Sequence, residues 1–390
     1  MKLTLVRNGS VIAPKLLGVQ DILVAGERIV EISDPGRISV SGIEIDEIDA
    51  SDLFVLPGMV DSHVHPLGGG GEGGPATRAP EIRVEDIVGS GVTTIIGLLG
   101  TDGITRHPSS LLAKARGLEE EGITAFIYVG SYELPVQNLT GSVRSDLALL
   151  PPVLGAGEIA VSDHRSAQPT FDDLAQLAAE CRVGGMLGGK PGILHLHVGD
   201  GARGLELVFR IIRETEIPVT QIIPTHCNRN PKLLDEAFRF AAEGGRIDLT
   251  AGIGEHPPAM AIEAAIRLAV ERSAPLERIS VSSDANGSLP LFDNDGDLVG
   301  LGVAHQRSML EQLRKIVHGG TLDLSLAAAL FTTNPATFYG LDRKGRVEAG
   351  ADADLIFLDS DLELIHAVTR GRRAVTDGRV VLRSTFSSPA

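Results

Sequence analysis

Tryptophan is absent from this 390-residue chain, tyrosine occurs three times and aromatics make up only 4% of it. So sparse a set excludes a stacking platform for bases and an aromatic cage for a cation. There are two cysteines, Cys181 and Cys227, outside any Cys-x-x-Cys spacing. That pattern reads as buried free thiols in a reducing, cytoplasmic setting rather than a disulfide framework. No apolar run approaches the roughly 20 residues of a membrane helix. The N-terminal stretch, Met-Lys-Leu-Thr-Leu-Val-Arg, reads as a strand, with neither an h-region nor a cleavage site of a signal peptide. Positive charge is the minority, and a net charge of −16 argues against nucleic acid or an anionic membrane as the main partner. A phosphate-binding glycine loop is lacking too. The glycines at 68–74 do not have the dinucleotide spacing, and the run ending in Lys190 meets Pro191 where a P-loop needs Ser or Thr. An ordinary globular protein is what these absences leave.

What is present is a regular alternation. The chain ends, at 3–13, 21–33, 353–359 and 371–381, read as short strands, with a two-residue hairpin turn at Gly26-Glu27. Between about 55 and 340, eight short apolar runs (55–65, 93–99, 124–130, 158–162, 193–198, 221–226, 247–251 and 279–283) alternate with Ala- and Leu-rich segments such as 109–121, 171–181, 205–215 and 233–242. Eight strands, each followed by a helical pattern, predict an α/β chain with a (β/α)8 TIM-type barrel. The expected domains are that barrel at 55–345 and a small discontinuous β-sandwich from 1–54 and 346–390.

In such a barrel, chemistry gathers at the C-terminal ends of the strands. The first run ends in His63-Val64-His65, and alternation along a strand points both imidazoles the same way, as a metal clamp needs. The fourth run contains Glu158, and later runs carry His197, His226 and Asp284 at or near their ends. Converging at one mouth, four histidines and two carboxylates form a candidate metal site. His195 shares the face of His197 but reads as a deeper barrel residue. His107 and His164 read as loop residues, and Cys227 as core.

These residues and the runs around them resemble the amidohydrolase superfamily of metal-dependent hydrolases, and within it the isoaspartyl (β-aspartyl) dipeptidases. The resemblance spans essentially the whole chain. It rests on Pro57-Gly-Met-Val-Asp-Ser-His-Val-His65, on Ser162-Asp-His-Arg-Ser166, on Pro224-Thr-His-Cys-Asn-Arg-Asn230 and on Ser282-Ser-Asp-Ala-Asn-Gly-Ser288. Further matching runs lie at 68–78, 97–102, 106–114, 140–142 and 182–192. The resemblance implies two divalent metal ions, usually zinc, with His63, His65 and Asp284 on one and His197 and His226 on the other. In that family a carbamylated lysine bridges the pair. Here the matching position is Glu158, and no lysine lies between Lys114 and Lys190. A carboxylate is also a bidentate anion, so Glu158 is expected to bridge directly. Its reach is shorter by three side-chain bonds, about 4 Å.

The resemblance also implies roles. Asp284 would act as general base and acid, and Tyr132 would polarise the carbonyl. Glu72 would bind the substrate ammonium, Arg165 and Arg229 its carboxylates, and Gly70, Thr101 and Ser288 its other polar groups. An ion pair of Arg165 with Asp163 or Asp200 is the ordinary alternative for that arginine. The implied activity is hydrolysis of β-aspartyl dipeptides by a cytoplasmic homo-oligomer. A hydrolase of cyclic amides such as dihydroorotate or hydantoins is the alternative, and a non-catalytic barrel scaffold the remaining one.

Overall fold

The computed structural model describes residues 3–12, 14–253, 259–292 and 298–387. Its centre is a ring of eight parallel strands: β1 (Met59–Val64), β2 (Val92–Gly97), β3 (Thr124–Val129), β4 (Val153–Val161), β5 (Ile193–Val198), β6 (Ile222–Thr225), β7 (Ile247–Thr250) and β8 (Ile279–Ser282). Parallel strands covered on both faces read as continuous apolar runs, and β1, β2, β4 and β5 are buried at every position. β1 to β6 pair in chain order as one sheet, and β7 pairs with β8. Two seams complete the ring. Cys227 N donates to Asp248 O at 3.2 Å between β6 and β7, and His65 N donates to Ala285 O at 2.9 Å between β1 and β8. The second seam lies at the histidine pair itself.

Helices cover the barrel where the sequence pattern expects them. Pro108–Glu121 starts with proline at its first turn, and Phe171–Gly188 opens with a Thr170/Asp173 capping box. The latter runs seven residues beyond its predicted end, to Gly189 in the left-handed conformation.

The chain ends build a nine-stranded sheet in which Leu3–Ile12 lies beside Leu16–Ala25 and Phe54–Pro57 pairs with Leu355–Leu358. Val6, Ile22, Ile29, Ile48, Val55, Leu355 and Phe357 form its own apolar interior. The architecture is therefore a TIM-type barrel with a β-sandwich built from both termini. The predicted turn at Gly26-Glu27 joins Leu16–Ala25 to Arg28–Ser33.

One expected strand is two. The run from Val55 to His65 breaks at Gly58, before which Phe54–Pro57 belongs to the terminal sheet and after which β1 belongs to the barrel. A Cβ at Gly58 would lie 2.2–2.8 Å from the Thr93 side chain, so only glycine lets the chain cross there. Strands at Ile45–Asp49 and Leu364–Thr369, and a hairpin of Ser288–Phe292 with Leu298–Val303, lie outside the sequence expectations. Among the described residues no helix is long and apolar enough to cross a membrane.

Candidate metal centre and substrate rim

The ring brings its ligand-type side chains to one floor. His63, His65, Glu158, His197 and His226 are buried, and the Asp284 side chain is 17% exposed. Glu158 Oε2 lies 3.1 Å from His197 Nδ1 and 3.5 Å from both His63 Nε2 and His226 Nε2, while its Oε1 lies 3.6 Å from His65 Nε2. Asp284 Oδ1 lies 3.0 Å from His65 Nε2 and 3.4 Å from His63 Nε2. Two groups sharing His63, one with His65 and Asp284 and the other with Glu158 and His226, hold their donor atoms within 4.8 Å of one another. His226 and Asp284 sit at φ 61° and 58°, a left-handed turn that few side-chain-bearing residues adopt and that marks strained functional strand ends.

These residues fit divalent cations. His63 Nε2 is buried without a well-formed hydrogen bond, 3.4 Å from Asp284 Oδ1 and 3.5 Å from Glu158 Oε2. Burial pushes the His226 imidazole down to about 3 against the pull of Glu158, which leaves it a neutral lone-pair donor. Burial alone would raise the Glu158 carboxyl, but the charge of His63 and hydrogen bonds from His197 and His226 outweigh it and hold the group well below the usual range. The Asp284 carboxyl is lowered in the same way, burial being outweighed by the neighbouring imidazoles of His63 and His65. Despite its short reach, the one Glu158 carboxylate faces both sets of imidazoles.

Three neighbours orient the rings. Asp163 Oδ2 lies 2.9 Å from His197 Nε2, Thr250 Oγ1 2.7 Å from His226 Nδ1, and His195 Nε2 2.9 Å from His63 Nδ1. Such outer partners fix which nitrogen is free to ligate. Asp163 was expected only as an ion-pair partner, and Thr250 had no sequence signal at all.

Above the floor is a polar rim. The loop after β1 doubles back on itself: Gly70 has φ 74°, and a Cβ there would lie 2.3 Å from Thr77 O. It carries Glu72, whose Oε1 accepts Thr101 Oγ1 at 2.8 Å, with Ser288 Oγ at 3.4 Å and Arg165 Nη1 at 3.6 Å. Glu72, Thr101, Ser288 and Arg165 are thus brought together. The Arg165 fork also holds Asp163, through Nε at 3.0 Å and Nη2 at 2.8 Å, so the ion pair weighed as its alternative is present. Arg229 stands apart from Glu72, with Nε donating to Val198 O at 3.1 Å and Nη1 3.9 Å from Asp200. Tyr132 is buried with its hydroxyl 2.8 Å from His197 Nδ1, and burial together with the Glu158 charge raises its phenol well above the usual value.

Arg106, unassigned from sequence, is 4% exposed and donates to the carbonyls of Leu67, Gly69 and Gly70 and to Asp102. It ties the glycine loop to the loop after β2. His107 and His164 are exposed, and Cys227 is buried with Sγ 3.4 Å from Pro224 O.

Comparison with known proteins adds an independent line. The amidohydrolase family model matches residues 233–381. A solved β-aspartyl dipeptidase of the thermophilic, keratin-degrading Fervidobacterium islandicum AW-1, in complex with the dipeptide β-Asp-Leu, is 42% identical, with a TM-score of 0.91 and 97% of each chain covered. A second structure of that organism's enzyme is 40% identical with a TM-score of 0.89, covering 97% of this chain and 98% of that one. Among curated proteins, the dihydroorotase of Lactococcus lactis is 24% identical over 400 residues, 92% of this chain and 90% of the relative.

Proposed function

This chain belongs to the amidohydrolase family of hydrolases, and on that premise we propose that it is a metal-dependent dipeptidase cleaving the isopeptide bond of β-aspartyl dipeptides. The observation that carries the reading is the rim. Arg165 lies 3.4 Å from His197 of the floor and 3.6 Å from the acid Glu72, and Arg229 is held at the end of β5 by Val198 O, so that one acid and two guanidiniums match a substrate with one ammonium and two carboxylates around one amide. Similarity to an enzyme solved with β-Asp-Leu supports the same substrate class.

On this reading His63, His65 and Asp284 hold one zinc ion, His197 and His226 the other, and Glu158 lies between. Bound there, the cations acidify water and stabilise charge developing on a carbonyl oxygen. The Asp284 carboxylate takes the proton of the attacking water and returns it to the leaving amine. Tyr132 donates its hydroxyl to the carbonyl oxygen, and the raised phenol keeps that proton at neutral pH. Glu72 binds the ammonium with Thr101 and Ser288 around it, and the Gly70 backbone leaves room for close approach. Arg165 and Arg229 bind the carboxylates in bidentate fashion. The barrel body at 55–345 carries all of these groups, and the body at 1–54 and 346–390 carries none.

A second reading has its own support in the dihydroorotase relatives, whose name points to a cyclic amide substrate. Assaying β-Asp-Leu, dihydroorotate and hydantoin on one sample with metal counting separates the two. Hydrolysis of β-Asp-Leu with two metals per chain is expected. Turnover of dihydroorotate or hydantoin alone would overturn the dipeptidase reading.

A further inference from the structure

We infer that His195 is a positioning residue that accepts the Nδ1 proton of His63 and so leaves His63 Nε2 as a lone-pair donor for a divalent cation. The inference rests on the reading that His63 is a metal ligand and extends it to a residue outside the ligand set. The two rings are fully buried, and His63 Nδ1 stands 2.9 Å from His195 Nε2. Two imidazole nitrogens at that distance share one proton, so one must donate and the other accept. If His195 donated, His63 would carry its own proton on Nε2, the atom that has no hydrogen-bond partner and faces the gap between Glu158 and Asp284. That tautomer blocks ligation. The opposite one opens it.

The geometry around His195 holds it to this task. Its ring stacks on Tyr128 at 4.8 Å between centroids with 3° between planes, which fixes its orientation. Behind it, a Cβ at Gly157 would come 2.8 Å from the His195 Cβ, so β4 leaves this histidine its space by having glycine there. With Nε2 accepting, the proton of neutral His195 sits on its other nitrogen, Nδ1, which is buried without a partner. β5 then supplies two things from one face: a ligand, His197, and the group that orients a ligand of β1.

The test measures zinc affinity of the demetallated full-length chain by competition with a chromophoric chelator, alongside thermal melting of the same samples. H195F keeps an aromatic ring on Tyr128 and removes the acceptor, while H195Q restores an acceptor near the Nε2 position. Expected are two zinc equivalents for the wild type and a loss of about 10–100-fold for one of them in H195F, the range seen when a ligand's outer partner is removed. H195Q should recover most of that loss. Wild-type affinity for both equivalents in H195F would overturn the inference. So would a loss that H195Q does not restore, since that would make the role one of packing. Nitrogen-15 spectra of wild-type histidines with zinc bound need no variant to fold. They should show His63 protonated on Nδ1, and a proton on His195 Nε2 instead would overturn the inference. Failure of the wild type to bind zinc would overturn the metal-centre reading itself.

Discussion

The floor and the rim of this barrel mouth are built on different principles. Floor groups come from strand ends, are almost wholly buried, and face one another through a closed set of imidazoles and two carboxylates. Rim groups come from loops, are partly exposed, and already hold one another: Thr101 on Glu72, Asp163 on Arg165, Val198 O on Arg229. A floor group removed leaves a buried charge or lone pair uncompensated, which is severe and local. A rim group removed exchanges one solvated polar contact for another, which is graded and shows in substrate affinity. On the proposed reading a substrate entering the rim displaces these intramolecular partners, so the rim is expected to tune KM and the floor turnover.

The strongest way to break this contrast is at Glu158, whose carboxylate faces both sets of imidazoles. Glu158→Gln should lower metal content from two ions toward one and reduce kcat on the order of 10³-fold, the several kcal/mol that charge stabilisation by the cations supplies. Metal analysis on the assayed sample checks it. One ion per chain at full activity in the wild type would refute a bridging role.

Next in size is Arg229→Lys. A point-charge ammonium cannot reproduce the bidentate fork, so KM should rise about 10-fold, the lower end of a charge-assisted hydrogen bond's worth, with metal content normal. Unchanged kinetics would remove Arg229 from the substrate rim.

The two regions also differ in how far they could be read from sequence. The floor was legible, because strand-end histidines and carboxylates follow apolar runs whose two-sided burial is itself a sequence pattern. All six expected ligand-type residues arrive at one place. What was missed acts across space. Asp163 and Thr250 contact rings on other strands, as does His195, read from sequence only as a deeper barrel residue, and Arg106 clasps carbonyls 36 to 39 residues away. No local spacing announces such contacts. The strand Ile45–Asp49 was hidden for another reason: its sequence Ile-Asp-Glu-Ile-Asp is acidic at three of five positions, a composition that strands disfavour. Val55–His65 read as one strand because apolar character continues through Gly58, while the crossing there depends on contact with Thr93.

Arg106 sharpens the contrast from the rim side. Arg106→Gln leaves carbonyls of Leu67 and Gly69 without their donor and loosens the loop that carries Glu72. Through a neutral hydrogen bond or two, KM for β-Asp-Leu should rise roughly 3–10-fold with kcat and metal content unchanged. The same variant should bind N-succinyl-leucine, which lacks the ammonium, as the wild type does. An equal loss on both compounds would uncouple this latch from Glu72.

The smallest effect is expected beneath the floor, at Asp248 on β7. Its carboxylate is fully buried and accepts from Thr225 Oγ1 at 2.7 Å and from Ser280 and Ser282 Oγ at 2.6 Å each. Burial nonetheless raises it from the ordinary 3.8 to about 6. A carboxyl raised on folding binds its proton more tightly in the folded chain, so the stability it contributes is full below about pH 4 and is lost as pH rises through 6, a change of at most a few kcal/mol. Asp248→Asn stays neutral and lacks this dependence. The melting temperature of the metal-free variant, taken relative to wild type, should therefore climb between pH 4 and pH 7. A flat difference across that window would mean that the three hydroxyl donors hold Asp248 ionised throughout.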